Sequence, residues 1–203
     1  MKLPPIRPQH WLIFAVVAAV FFAWGAWLMR AQSSAQPWPW LVQWQGTVFT
    51  PLADDQLSLV HLRDVQAGEL WLQPNPEGAR LLYRAQVNEG DEAWSLEAEV
   101  GLQSAERDSL MAAAGVQPGD KEQPLGSPLL VALANRPIIA LTLLPPEPMD
   151  TDQLAASLGQ PRLTLELAEG QAWVYPELGM TAHLQDDELF FLYVVPRHLL
   201  QQR

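Results

Sequence analysis

Residues 11–29, WLIFAVVAAVFFAWGAWLM, run for nineteen positions without a charge. A helix rising about 1.5 Å per residue would make this stretch about 28 Å long, close to the ~30 Å hydrocarbon core of a bilayer. On this feature the chain reads as membrane-tethered. Residues 1–10 are expected as a cytoplasmic N-terminus, 11–30 as a transmembrane helix, 31–42 as a linker of Pro and Trp, and 43–203 as an extracytoplasmic domain. Lys2 and Arg7 precede the stretch, Arg30 closes it, and the next basic residue is Arg63. The positive-inside rule then puts the N-terminus in the cytoplasm and the body of the chain beyond a cell inner membrane, with Trp11–Met29 as the contact with lipid. Trp11, Trp24 and Trp27 suit the headgroup belts. Ser33-Ser34-Ala35 would fit a signal-peptide cleavage site, but a secretory apolar region is usually about 7–15 residues, so a retained signal-anchor is favoured. Ala15, Ala19 and Ala23 stand four apart, a spacing that lets a second helix approach in lipid, although Ala is common in any membrane helix.

The chain has no Cys, which removes a lipidated N-terminal Cys and disulfides from consideration. All 23 Asp and Glu lie in 31–203, against nine of the 12 Lys and Arg, a net charge of −14 for that part. Nucleic acid is therefore not an expected partner, because binding it takes a basic patch to neutralise phosphates. Eighteen prolines favour short strands and many turns over long helices.

The segment after the linker reads as α+β, mainly antiparallel β with two or three short helices. Pro37 and Pro39 bias 31–42 to an extended shape, and Trp38, Trp40 and Trp44 crowd the membrane-proximal edge, for anchoring and packing beneath the domain. Strands are expected at 43–50, 57–63 and 69–73. Residues 79–88 alternate, with Leu81, Tyr83, Ala85 and Val87 opposed to Arg80, Arg84 and Gln86. Residues 93–102 alternate as well, with Trp94, Leu96, Ala98, Val100 and Leu102 opposed to Ser95, Glu97 and Glu99. The turn sequence 88–92 between them predicts a hairpin whose outer face pairs the two arginines with the two glutamates. A helix is expected over 104–114, stopped by Gly115, and an exposed loop with a candidate internal boundary over 116–126. A short helix or a buried strand should follow at 127–134, and a buried strand at 137–144. A helix opening at Asp150 stops at Gly159. Strands at 162–167, 171–175, 178–184 and 188–195 complete the chain, the last apolar on both faces and so expected inside the sheet. The two halves share no clear sequence repeat.

Within 150–195, DTDQLAASLGQP is followed by Trp173-Val174-Tyr175, a Gly-led strand, and an acidic turn before the last apolar strand. This segment resembles the helix-LG-x-P-sheet pattern of the BamE (SmpA/OmlA) group of small envelope proteins. The resemblance implies a non-enzymatic helper in envelope assembly. This chain lacks the lipidated Cys that the group normally carries.

No residue set is nominated as catalytic, cofactor-binding or metal-binding, and no cofactor is expected. His10, His61, His183 and His198 form no zinc-ligand pair, and there is no Cys to assist. His61-Leu62-Arg63-Asp64 has no phosphate loop or metal-binding motif to accompany it. Asp54-Asp55 and Asp186-Asp187-Glu188 lack the spacing of a calcium loop and read as acidic turns. Three functions follow. The first is a non-enzymatic accessory factor that works through protein contacts, its partner a membrane or envelope protein. The second is a module for a hydrophobic ligand such as lipid, using 137–144 and 188–195. The third is an enzyme whose site forms only in three dimensions. The sequence leaves oligomeric state open.

Overall fold

The computed structural model describes residues 16–25, 35–89 and 92–200. The chain divides into two units, residues 1–36 and 37–203.

In the first unit a helix, α1, is described over 16–25. Among the described residues no helix is long and apolar enough to cross a membrane. This corrects the transmembrane helix expected over 11–30, and with it the single-pass, signal-anchor and inner-membrane readings. Residues 11–15 and 26–30 of that stretch lie outside the described residues, as do 1–10 and 31–34.

The second unit is built on one mostly antiparallel sheet of ten strands with a few helices. The strands are β1 (Gly68–Gln73), β2 (Arg80–Glu89), β3 (Glu92–Val100), β4 (Gln123–Pro124), β5 (Ile138–Leu144), β6 (Met149–Asp150), β7 (Leu163–Glu166), β8 (Gln171–Tyr175), β9 (Met180–Gln185) and β10 (Glu188–Val194). They are ordered β4-β1-β2-β3-β5-β10-β9-β8-β7, with β6 pairing β10 as well. Each half is a four-strand meander, β1-β2-β3-β5 and β7-β8-β9-β10, and the two last strands meet at the centre, Leu192 opposite Leu143. The sequence shows no repeat, but the topology does: the two meanders are arranged head to head about the β5–β10 seam.

The hairpin β2–β3 follows its alternation. Tyr83 lies opposite Ala98 and Arg84 opposite Glu97. Asp186 and Asp187 both have positive φ, 51° and 63°. This is the backbone that a tight two-residue hairpin turn needs, and Asp tolerates it better than most residues, so this acidic pair is turn chemistry.

The largest departure from the sequence reading is at 37–53. The linker and the strand expected over 43–50 are replaced by helix: α2 (Pro39–Trp44), a π-helical turn (Gln45–Phe49) and α3 (Thr50–Ala53). Pro39 starts α2 within its first two positions, where a missing N–H costs nothing. Pro51 accounts for the π turn. It has no N–H for the Thr47 carbonyl and its ring crowds that carbonyl, so the helix widens and the Thr50 N–H bonds back to Gln45 O. The strand expected over 57–63 is also corrected. Only Ser58 forms a β-bridge, to Pro137, and α4 (Leu59–Val65) buries Leu59 and Leu62 one turn apart.

Trp38, Trp40 and Trp44 are buried in the core. Trp94 of β3 is fully buried, with its ring edge-on to Trp38 at 5.3 Å and to Trp40 at 5.2 Å. The inner sheet face supplies Leu70, Leu81, Leu96, Leu141, Leu192 and other residues to the same core. Between β3 and β5 lie α5 (Ser104–Ala114) and α6 (Ser127–Ala132). α7 (Thr151–Leu158) precedes β7, with Asp150 accepting the Asp152 N–H as its cap, and α8 (Arg197–Leu200) follows β10.

Candidate functional site

The register across the sheet describes its outer face residue by residue. One row of directly opposed residues runs Leu163, Val174, Thr181, Tyr193, Thr142, Glu97, Arg84, Glu69 from the β7 edge to β1. The next row begins Leu165, Ala172, His183, Phe191. The outer face is thus apolar over the C-terminal meander and charged over the N-terminal one.

The charged half is internally paired. Arg80 donates to Glu99 through Nε at 3.0 Å and Nη2 at 2.7 Å. Arg84 reaches Glu97 at 2.9 Å and grips Glu122 with both terminal nitrogens, at 2.6 and 2.9 Å. Its guanidinium also lies over the Trp71 ring, 5.3 Å from the centroid. The hydrogen bond from Arg84 holds the Glu122 carboxyl below its ordinary range. With its two arginines tied to Glu97, Glu99 and Glu122, this half reads as a solvated sheet face.

The apolar half forms an open groove of about 560 Å³. Leu163, Leu165 and Leu167 form one wall; Val174, Thr181 and His183 lie in the floor; Leu199 and Leu200 of α8 contribute from above. The three wall leucines are 54%, 49% and 42% exposed. α8 is tied by its side chains to the end of α3 and to the β8–β9 connection. Arg197 Nη1 meets Asp54 at 2.7 Å, its Nη2 donates to Glu177 O at 2.7 Å, and His198 Nδ1 lies 3.1 Å from Asp55. The Asp54-Asp55 pair therefore serves as an anchor for α8. His183 stacks on Phe191 at 4.2 Å, and burial pushes its imidazole pKa down from the ordinary value.

The remaining motifs are dispersed. His61 Nδ1 lies 3.0 Å from Ser58 Oγ on an exposed helix start. His10 lies outside the described residues. Among the described residues no group of three or more His, Asp or Glu side chains stands close enough to hold a metal ion. Strand 137–144, nominated for a hydrophobic ligand, turns Ile138, Leu141 and Leu143 into the core. From 188–195, Tyr193 and Val195 reach the groove. The groove leucines alternate visibly in 162–167, but alternation alone does not say which face the helices leave uncovered. The α8 leucines carried no sequence signal.

Comparison of the chain with protein-family models, with curated proteins and with solved structures gives no match.

Proposed function

We propose that this protein is a non-enzymatic binding module, and that the open apolar face of its C-terminal meander takes an apolar segment of another protein. The carrying observation is the run of three half-exposed leucines, Leu163 and Leu165 on β7 and Leu167 just after it, which line one groove with Val174 and the α8 leucines. A contiguous apolar patch of this kind marks an interaction surface, whereas single exposed apolar residues do not. The groove reaches the edge strand β7 and is not an enclosed cavity, which suits an extended or helical segment better than an enclosed small molecule. The net charge of −11 favours a segment flanked by Lys or Arg, because complementary charge speeds encounter and fixes orientation. The resemblance of 150–195 to the BamE group points to the same non-enzymatic class.

Selection of random peptides on the immobilised full chain tests this reading. Peptides with an apolar core and basic flanks should be enriched, and should lose binding to Leu165→Asp and to Val174→Asp. Enrichment indifferent to both substitutions would overturn the reading. So would native mass spectrometry showing a co-purified lipid that Leu165→Asp removes, which favours the hydrophobic-ligand reading.

A further inference from the structure

The two edges of the sheet are finished differently. At the N-terminal edge β4 is two residues long and contains Pro124, which has no N–H to offer a further strand. Beside it Glu122 is tied to Arg84. These are the usual means by which a sheet edge is kept from pairing. β7, at the other edge, is four residues long and has no Pro within it. It ends the strand order, all four of its residues are exposed, and it contains no Lys.

We infer that β7 pairs antiparallel with β7 of a second copy, joining two molecules edge to edge into one continuous sheet. The backbone phase permits it. Leu167 N–H donates to Gly170 O at 3.0 Å and Arg162 N–H donates to Val174 O at 3.0 Å, so the Arg162 N–H is taken by β8 and the free backbone edge runs over Leu163–Glu166. Continued along the β7–β8 register, the antiparallel alternation turns the backbone groups of Leu165 and Leu163 toward β8 and those of Thr164 and Glu166 toward the open edge.

The side chains select the register. The segment Arg162-Leu163-Thr164-Leu165-Glu166 is self-complementary about Thr164. With Thr164 opposite Thr164 of the partner subunit, Arg162 meets the partner's Glu166 and Leu163 meets the partner's Leu165. The two-fold symmetry makes each of these pairs twice. Centring on Arg162 or on Glu166 would set like charges face to face, which is destabilising. Centring on Leu163 or Leu165 would leave both charges without an opposite number. Within one molecule these two side chains hold only loose partners. Arg162 Nη1 lies 3.4 Å from Glu177, with both side chains more than 70% exposed, and Glu166 accepts from Gln171 at 3.3 Å. The same pairing sets the wall leucines of the two grooves side by side. This inference goes beyond the proposed function, because its partner is a second copy at the edge, and either can fail without the other.

The chain has no Cys, so a single introduced thiol reports the contact in the full-length protein. Directly opposed residues in an antiparallel pair have Cα atoms about 5.5 Å apart, within disulfide reach. The Thr164→Cys chain should crosslink to a dimer under mild oxidation, and Thr181→Cys should not. Adding Arg162→Glu to Thr164→Cys should lower the crosslinked yield about tenfold, as should adding Glu166→Arg, because each sets two like-charge pairs opposite one another. Mixing those two chains should restore the yield as a heterodimer, since each then presents what the other lacks; this recovery also shows that both variants fold. A Thr164→Cys chain that stays monomeric, or a yield unmoved by the charge substitutions, would overturn the inference.

Discussion

The Trp38 backbone N–H donates to the Ser157 hydroxyl at 2.8 Å, across 119 residues of chain. Ser157 Oγ in turn donates to Gln153 O at 2.8 Å, and the Ser157 carbonyl accepts from Gln45 Nε2 at 2.9 Å. One residue of α7 therefore pins the start and the π turn of the α2–α3 helix to the helix of the C-terminal meander. The Ser157 side chain is buried, so Ser157→Ala leaves the Trp38 N–H without an acceptor. The expected loss is about 1–3 kcal/mol of unfolding free energy, read from urea denaturation as a lower midpoint with unchanged slope.

Trp94 is the hub of the aromatic cluster, yet its indole N–H is buried with no hydrogen-bond partner among the described residues. Packing therefore outweighs an unmet donor. Trp94→Ala should cost about 3–5 kcal/mol, as large aromatic truncations in cores do. Trp94→Phe keeps a ring against Trp38 and Trp40 and removes the orphaned donor, so it should cost about half as much or less. Denaturation midpoints of the two variants check the order.

His183 supplies a pH dependence with a definite sign. Burial lowers its folded pKa below the ordinary value of 6.5, so the unfolded chain binds this proton more readily than the folded one. Its contribution to stability is then level above about pH 7.5 and falls as pH drops through 6.5 toward the lower folded value. His183→Gln should flatten the stability profile between pH 7.5 and 5.5 relative to the unsubstituted chain, roughly the window that the reference pKa sets. Protonation of the folded chain, which sets in below the ordinary value, would also place a charge in the floor of the groove, so binding of an apolar segment should weaken as pH falls below 6.5. Paired melts and peptide titrations over this pH range test both.

The parts of this fold legible in the sequence were those whose pattern is local. β2 and β3 alternate with period two, and their Arg–Glu pairing across the hairpin follows directly. β10, apolar on both faces, lies between β5 and β9. The helix at Pro39–Ala53 was not legible, because its signals conflict. Pro37 and Pro39 suggest an extended chain, and Thr47, Val48 and Phe49 have strand propensity. What settles it is tertiary: Trp38 and Trp40 find Trp94, far away in sequence, Trp44 packs on Trp40, and burying all three outweighs the local preference. The apolar stretch 11–29 is a long run by composition, but among the described residues no helix is long and apolar enough to cross a membrane. The groove depends on which sheet face the helices cover, and strand alternation does not carry that information. The self-complementary segment at β7 is plain in the sequence, but it acquires meaning only once β7 is placed at an open edge.

The most direct test of the working surface is photo-crosslinking in cells that make this protein. A photoreactive phenylalanine analogue at Val174, in the groove floor, should give a discrete adduct with another protein. The same analogue at Gln86, on the charged half of the outer face, should give none, and changing Leu163 and Leu165 to Asp in the Val174-labelled chain should abolish the adduct. Equal adducts at both positions, or an adduct at Val174 that survives the two aspartates, would contradict the account.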